Sequence, residues 1–148
     1  MIHSRTATMH VALAIVLALG ACGKSPPMAR TTLLTANLSG TNEVPAVIGG
    51  GSGTVFVHLN KQTNVVRWTI EYAGLSGPVT AGNFHGPAVA GENAGVVVPM
   101  ADVGNPIKGT ATLTAAQSAD LLDGKWYVNL HTARRQDGEI RGQVIGNP

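Results

Sequence analysis

The sequence predicts an all-β protein, a Greek-key β-sandwich of about eight antiparallel strands with one short helix near residues 115–122. Three observations predict it. After residue 30 the chain is rich in glycine, valine and threonine, the composition of β structure. Short runs alternate apolar and polar side chains, as half-buried strands do. Turn signals built on glycine, proline and asparagine separate those runs at short intervals. Eight strands of this kind do not stay flat; the sheet closes on itself or splits into two layers.

The first elements precede that domain. Val11–Leu19 is an uncharged apolar run, preceded by Arg5 as the only firm positive charge. It is too short to span a bilayer and suits the core of a signal peptide. Leu19-Gly20-Ala21-Cys22 follows, with small residues ahead of the only cysteine in the chain. An unpaired thiol is a liability in an oxidising compartment. The pattern resembles the lipobox of bacterial lipoproteins. That resemblance implies a signal peptide at residues 1–21 and a Cys22 acylated on sulfur and, after cleavage, on its new amino terminus. Gly23, rather than an aspartate, resembles the pattern of lipoproteins sent to the outer membrane of the bacterial envelope. Two or three acyl chains hold a protein stably, at about 0.8 kcal/mol per buried methylene, where one chain gives marginal binding. Residues 22–30, polar and proline-bearing, read as a tether between lipid and domain.

Residues 31–148 make one domain, long enough for a single sandwich core. Thr31 to Leu38 is the first strand, with Leu34, Ala36 and Leu38 inward. Gly49 to Gly53 reads as a flexible loop. Thr54–Leu59 and Val65–Tyr72 form a hairpin across Asn60–Asn64; Val66, Trp68, Ile70 and Tyr72 share one face, opposite Arg67, Thr69 and Glu71. Val79 to His85 is a strand with Thr80, Gly82 and Phe84 on one face and Val79, Ala81, Asn83 and His85 on the other. Phe84 marks the buried face, which places His85 outside. Gly86-Pro87 stops that strand, and Val96 begins the next. Ile107 to Leu113 is a lightly packed edge. Thr114 caps a helix over 115–122, Gln117 completes a capping box, and Gly124 sits at the exit. In Trp126–His131, Trp126, Val128 and Leu130 point inward, while Tyr127, Asn129 and His131 form the polar row. Gly138–Val144 closes the count.

Several segments together resemble the CHRD domain, first described in chordin. Leu38-Ser-Gly-Thr-Asn-Glu-Val-Pro45 resembles its opening motif, Gly74–Gly77, Asn83–Ala88 and Asn93–Val97 its centre, and Gly124–Thr132 and Asp137–Gln143 its close. The resemblance runs from about Leu33 to Ile145 and marks Glu43, Asn83, Asn129, Glu139 and Arg141 as motif positions. The family's proposed fold is similar to the copper/zinc superoxide dismutase sandwich, in which histidines of two strands build a copper site outside the barrel. It implies a copper site at His85 and His131. Asn83 departs from the pattern, since a histidine commonly stands there, and neither the zinc loop nor the cysteine pair of the dismutase is visible.

Other chemistry finds less support. Imidazole-held copper or zinc wants three or four ligands, and only His58, His85 and His131 follow Cys22; His58 shares the face of Thr54 and Phe56. No Ser–His–Asp pattern or phosphate loop stands out. Glu139 and Arg141 alternate on one face, as do Arg67 and Glu71, and read as cross-strand ion pairs on a solvated sheet. Glu43 reads as a residue that ties down a loop. Without Arg5, nine Lys and Arg stand against eight Asp and Glu, and no aromatic-interleaved basic patch exists, so nucleic-acid binding is disfavoured. The sequence therefore predicts a non-catalytic, membrane-anchored module that binds a protein or other extracellular ligand. The alternative is a copper-binding or degenerate dismutase-like domain.

Overall fold

The computed structural model describes residues 30–146; the expected signal peptide at residues 1–21 and residues 22–29 of the expected tether, Cys22 among them, lie outside the described residues. Eight strands, β1 (Thr31–Ser39), β2 (Ser52–Asn60), β3 (Val65–Ala73), β4 (Val79–His85), β5 (Val96–Pro99), β6 (Ile107–Thr112), β7 (Trp126–Thr132) and β8 (Arg135–Gly146), pair antiparallel. Their spatial order is β5-β4-β7-β8-β1-β2-β3-β6. Three connections, β3 to β4, β5 to β6 and β6 to β7, cross from one half of this order to the other. That gives the Greek-key character and leaves β5 and β6 at an open seam.

The hairpin of β2 and β3 is the most regular part, in unbroken register from Ser52↔Ala73 to Asn60↔Val65. Its turn is held by the Asn60 side chain, which accepts from the backbone of Gln62 and Thr63, and Asn64 takes the left-handed conformation, φ 54°. Asparagine tolerates that conformation through its short polar side chain. The sheet curls until its two halves face each other. Trp68 of β3 meets Phe84 of β4 edge to face at 5.1 Å between ring centroids, and Phe84 meets Trp126 of β7 at 6.1 Å. Around these rings lie Leu34, Val55, Val57, Ile70, Ile107, Val128, Leu130 and Ile140, all fully buried.

The expected inward faces of β1, β3 and β7 are the observed ones. The helix α1 spans Ala115–Leu122, with both hydrogen bonds of the Thr114–Gln117 capping box and Gly124 at φ +71° beyond its end. Three local expectations are corrected. Val79 is buried, because the register with β7 shifts between Val79 and Ala81 and turns that side chain inward. Gly53 belongs to β2 and not to a loop. Gly109, expected to mark light packing, lies in register with Trp68, whose ring is 2.2 Å from where a Cβ would sit. Glycine there makes room for the indole.

Candidate functional site

The chemistry-bearing side chains gather on the outer faces of β4, β7 and β8. Register puts Asn83 opposite Asn129 and His85 opposite Tyr127 on β4 and β7. It puts Asn129 opposite Arg141 and Tyr127 opposite Gln143 on β7 and β8. This face is not open to solvent as the alternation suggested. The loops of residues 43–51 and 86–95 fold over it, so His85, Asn129, Tyr127, Glu43 and Arg141 are all buried, while His131 and Asn83 are half-buried.

The loop of residues 86–95 is fastened by side chains of the sheet beneath. His85 Nδ1 lies 2.9 Å from the Ala94 carbonyl, and the Tyr127 hydroxyl accepts from the Ala94 amide at 3.2 Å. Arg141 donates to Asn93 Oδ1 at 2.9 Å and to the Glu92 carbonyl. Gln143 donates to the Ala88 carbonyl at 2.8 Å. Asn93 then donates to the Val44 carbonyl at 2.9 Å, joining the two covering loops. The rings stack as well: His85 lies parallel to Tyr127 at 4.7 Å, and the Arg141 guanidinium sits 3.4 Å from the Tyr127 ring centroid. A cation over an aromatic face is stabilised further when desolvated.

Both candidate histidines meet at one atom. Asn129 Oδ1 is 2.9 Å from Nε2 of His85 and 2.9 Å from Nε2 of His131, and Asn83 Nδ2 is 3.2 Å from the latter nitrogen. The Nδ1 atoms face backbone carbonyls, Ala94 for His85 and Gln136 for His131 at 2.8 Å. A carbonyl only accepts, so each Nδ1 carries a proton. In a neutral ring, Nε2 is then a bare lone pair. Imidazolium rings donate to Asn129 Oδ1 as it stands. Neutral rings need the amide turned by half a turn, so that its NH2 group donates to both. Burial lowers the pKa of His85, against the hydrogen bonds of Ala94 and Asn129, which favours the neutral arrangement.

Glu43 stands beside this amide. A Cβ on Gly138 would lie 2.4 Å from Glu43 Oε1 and 2.9 Å from Asn129 Nδ2, so both groups crowd over a residue without a side chain. Glu43 Oε1 is buried with no hydrogen-bond partner. Burial pushes its pKa up to about 7, against the pull of Arg141. Turning the Asn129 amide would bring its oxygen to the side on which Glu43 stands. A shallow cavity of about 330 Å³ opens above the group, lined by Glu43, His85, Tyr127, Asn129, His131 and Asp137 among others. A larger groove, about 710 Å³, lies on the other half of the sheet against Asn37, Glu71 and Asn105 and gathers no comparable chemistry.

Two functional expectations change. Glu139 and Arg141 are not a surface ion pair; they are 5 % and 1 % exposed, and the ion pairs among the described residues join Lys125 to Asp120 and Asp123. Glu139 instead accepts from Ser76 N at 2.6 Å, Ser76 Oγ at 2.7 Å and Thr132 Oγ1 at 2.6 Å. Burial opposes its ionisation, yet these hydrogen bonds outweigh burial and hold its pKa below the usual carboxylate value. Glu43 fixes no loop through its carboxyl, which is buried rather than bonded. His58 lies apart, on the outer face of β2 opposite Arg67. Tyr127, Asn93 and Gln143 went unnoticed as cluster members. The pairing of the Trp126–His131 polar row with Asp137–Gln143 is the signal for Tyr127 and Gln143, and the Asn93–Val97 motif the signal for Asn93. Among the described residues no group of three or more His, Cys, Asp or Glu could hold a metal ion. Two imidazole nitrogens aimed at one point, with an amide between them, are the donors present.

No curated protein and no solved structure matches the chain. The family model described as the CHRD domain matches residues 34–144. That span takes in β2 to β7 whole, most of β1 and β8, both covering loops and each member of the polar cluster. The chain therefore belongs to the CHRD domain family.

Proposed function

We propose that the protein is a lipid-anchored lipoprotein of the bacterial envelope, held at the outer membrane through Cys22, whose CHRD domain is a non-catalytic binding module. The observation that carries the binding reading is the use made of the polar cluster. Its hydrogen bonds are spent on fastening two loops, and those loops carry exposed Val44, Ile48 and Val89. Apolar side chains on loops pinned from beneath form a preorganised contact surface, since little ordering entropy remains to be lost on binding. The partner that suits such a surface is a protein or other extracellular ligand with an apolar patch of its own. Two measurements test the reading. A tagged palmitate should label wild-type protein in cells and leave Cys22→Ser unlabelled and unprocessed; equal labelling of both rules out the anchor. A photo-crosslinker at Val89 should give a discrete adduct in cells where one at Thr80, exposed at the register shift of β4, gives none; equal results at the two sites rule out the loops.

One observation favours a second reading, a copper-binding domain. Two Nε2 lone pairs converge on a single position, and both rings are oriented by backbone carbonyls through Nδ1, as ligating histidines usually are. A pair of imidazoles with an amide between them suits a weak site for Cu(II) ahead of Zn(II). Asn83 shares the His85 face and already reaches His131, so Asn83→His should tighten copper binding markedly. Copper titration followed by visible absorption tests this; no change on restoring the histidine leaves the binding module alone.

A further inference from the structure

The outer face of the other half of the sheet has a composition that the binding reading does not use. Register across four pairings aligns Ile145, Thr35, Phe56, Thr69 and Lys108 in one row, and Leu33, His58, Arg67 and Thr110 in the next. Phe56, Leu33 and Ile145 all neighbour Thr35 and are exposed at 40 %, 39 % and 54 %. The apolar trio is bordered by the exposed cations Arg67 and Lys108, with Glu71 the only acid on the outer rows of β1, β2, β3 and β6. At the end where β1 begins, Arg30 and Lys61 join through a backbone hydrogen bond of 2.8 Å, and both side chains are exposed. The segment from Cys22 to Arg30 adds Lys24 and contains no acid.

We propose that this face rests on the anionic surface of the membrane that holds the lipid; the proposal builds on the anchoring of Cys22. Eight residues lie between Cys22 and Thr31, so that the nine steps from one to the other reach roughly 30 Å when extended. The first strand is therefore held within that distance of the bilayer, and Leu33 follows two residues on. Apolar side chains in a cationic frame suit the headgroup boundary, where anionic lipids attract Lys and Arg and the apolar groups leave water. Trp68–Phe84 packing places this half back to back with the half that bears the polar cluster. Seating the one on lipid therefore presents the covering loops away from it.

The test uses the acylated protein in vesicles containing phosphatidylglycerol. Phe56→Cys and Thr80→Cys each carry one fluorophore, because the Cys22 sulfur is acylated. Acrylamide should quench the label at position 56 several-fold less than the label at position 80. Arg67→Glu with Lys108→Glu, or vesicles of phosphatidylcholine alone, should abolish that difference while the protein still floats with the vesicles. Equal quenching at both positions in wild type overturns the proposal while flotation keeps the anchor. Shielding that grows with protein density overturns it in favour of a second copy, and shielding indifferent to lipid charge overturns it too. Loss of flotation in wild type overturns the anchor and this proposal together.

Discussion

The two halves of the sheet are built from the same inward pattern and differ in what covers them outside. In β1, β2, β3 and β6 the outer rows meet water, and the alternation of buried and exposed side chains is nearly perfect. In β7 and the middle of β8 nearly every residue is buried, polar and apolar alike. The inward rows of the two halves do the same work: they fill one core through Trp68, Phe84 and Trp126. The outward rows diverge. On one half they are a solvated surface, and on the other they are a polar interior that ties loops to strands. Burying Arg141, Glu43 and Glu139 carries a cost that an open sheet never meets, and each escapes it differently. Arg141 lies on an aromatic face with carbonyl acceptors, Glu139 collects donors, and Glu43, its pKa raised to about 7, keeps its proton to higher pH than an open carboxyl.

The largest effects should not distinguish the halves at all. Trp68 belongs to the open half and Trp126 to the covered one, and both press on Phe84. Truncating either to alanine should cost about 3–5 kcal/mol, the range for large core aromatics. Chemical denaturation measures it. A midpoint unmoved in Trp68→Ala alone would mean that the core is carried by the covered half, and the equivalence drawn above would break.

Next in size is the pH dependence that Glu43 confers. Its carboxyl is raised from 4.5 to about 7 in the folded protein, so the folded state holds a proton that the unfolded chain has released. The stability from this group is complete below about pH 4.5 and is lost as pH rises through 7. The span corresponds to about 3 kcal/mol. Glu43→Gln should therefore match wild type near pH 4 and exceed it at pH 8 by about that amount. His85 works in the opposite sense. Its lowered pKa makes its contribution present above its unfolded value, near 6.5, and lost as pH falls through its folded value. A Glu43→Gln curve parallel to wild type across this range would show that the carboxyl is not confined as described.

The open half was nearly legible from sequence because one face of each strand meets water, and water selects the alternation that a reader looks for. The same rule identified Trp126, Val128 and Leu130 as inward. It failed on Tyr127, Asn129, Glu139 and Arg141 for a definite reason. Alternation reports which side of a strand a residue occupies, not whether a loop remote in sequence covers that side. The register Asn129↔Arg141 requires knowing that β7 and β8 are partners, and the roof requires knowing where the loops after His85 and Asn42 fold. The two histidines were placed on the correct face, and their neighbourhood was inferred from resemblance. Their shared contact with Asn129 could not be read from the chain, because it depends on side-chain torsions and on two backbone carbonyls nine and five residues away.

The smallest prediction sharpens the contrast between outer faces with one pair of like substitutions. Glu139 and Glu71 each sit on an outward row, but Glu139 is enclosed by Ser76 and Thr132 and Glu71 is exposed. Glu139→Gln keeps the shape and removes the charge, replacing one accepting oxygen by an amide that cannot accept. It should cost about 1–3 kcal/mol at pH 7, the range for hydrogen bonds to a buried ionised group. Because the folded pKa of Glu139 lies below its usual value, this stability is present above the unfolded value and is lost as pH falls through the folded one. The variant should therefore approach wild type in acid. Glu71→Gln should stay within about 0.5 kcal/mol at either pH, as surface changes do. Parallel unfolding curves at pH 7 and pH 3 measure both. Equal losses at Glu71 and Glu139 would mean that the covering loops do not seal the second half, and that both outer faces are solvated alike.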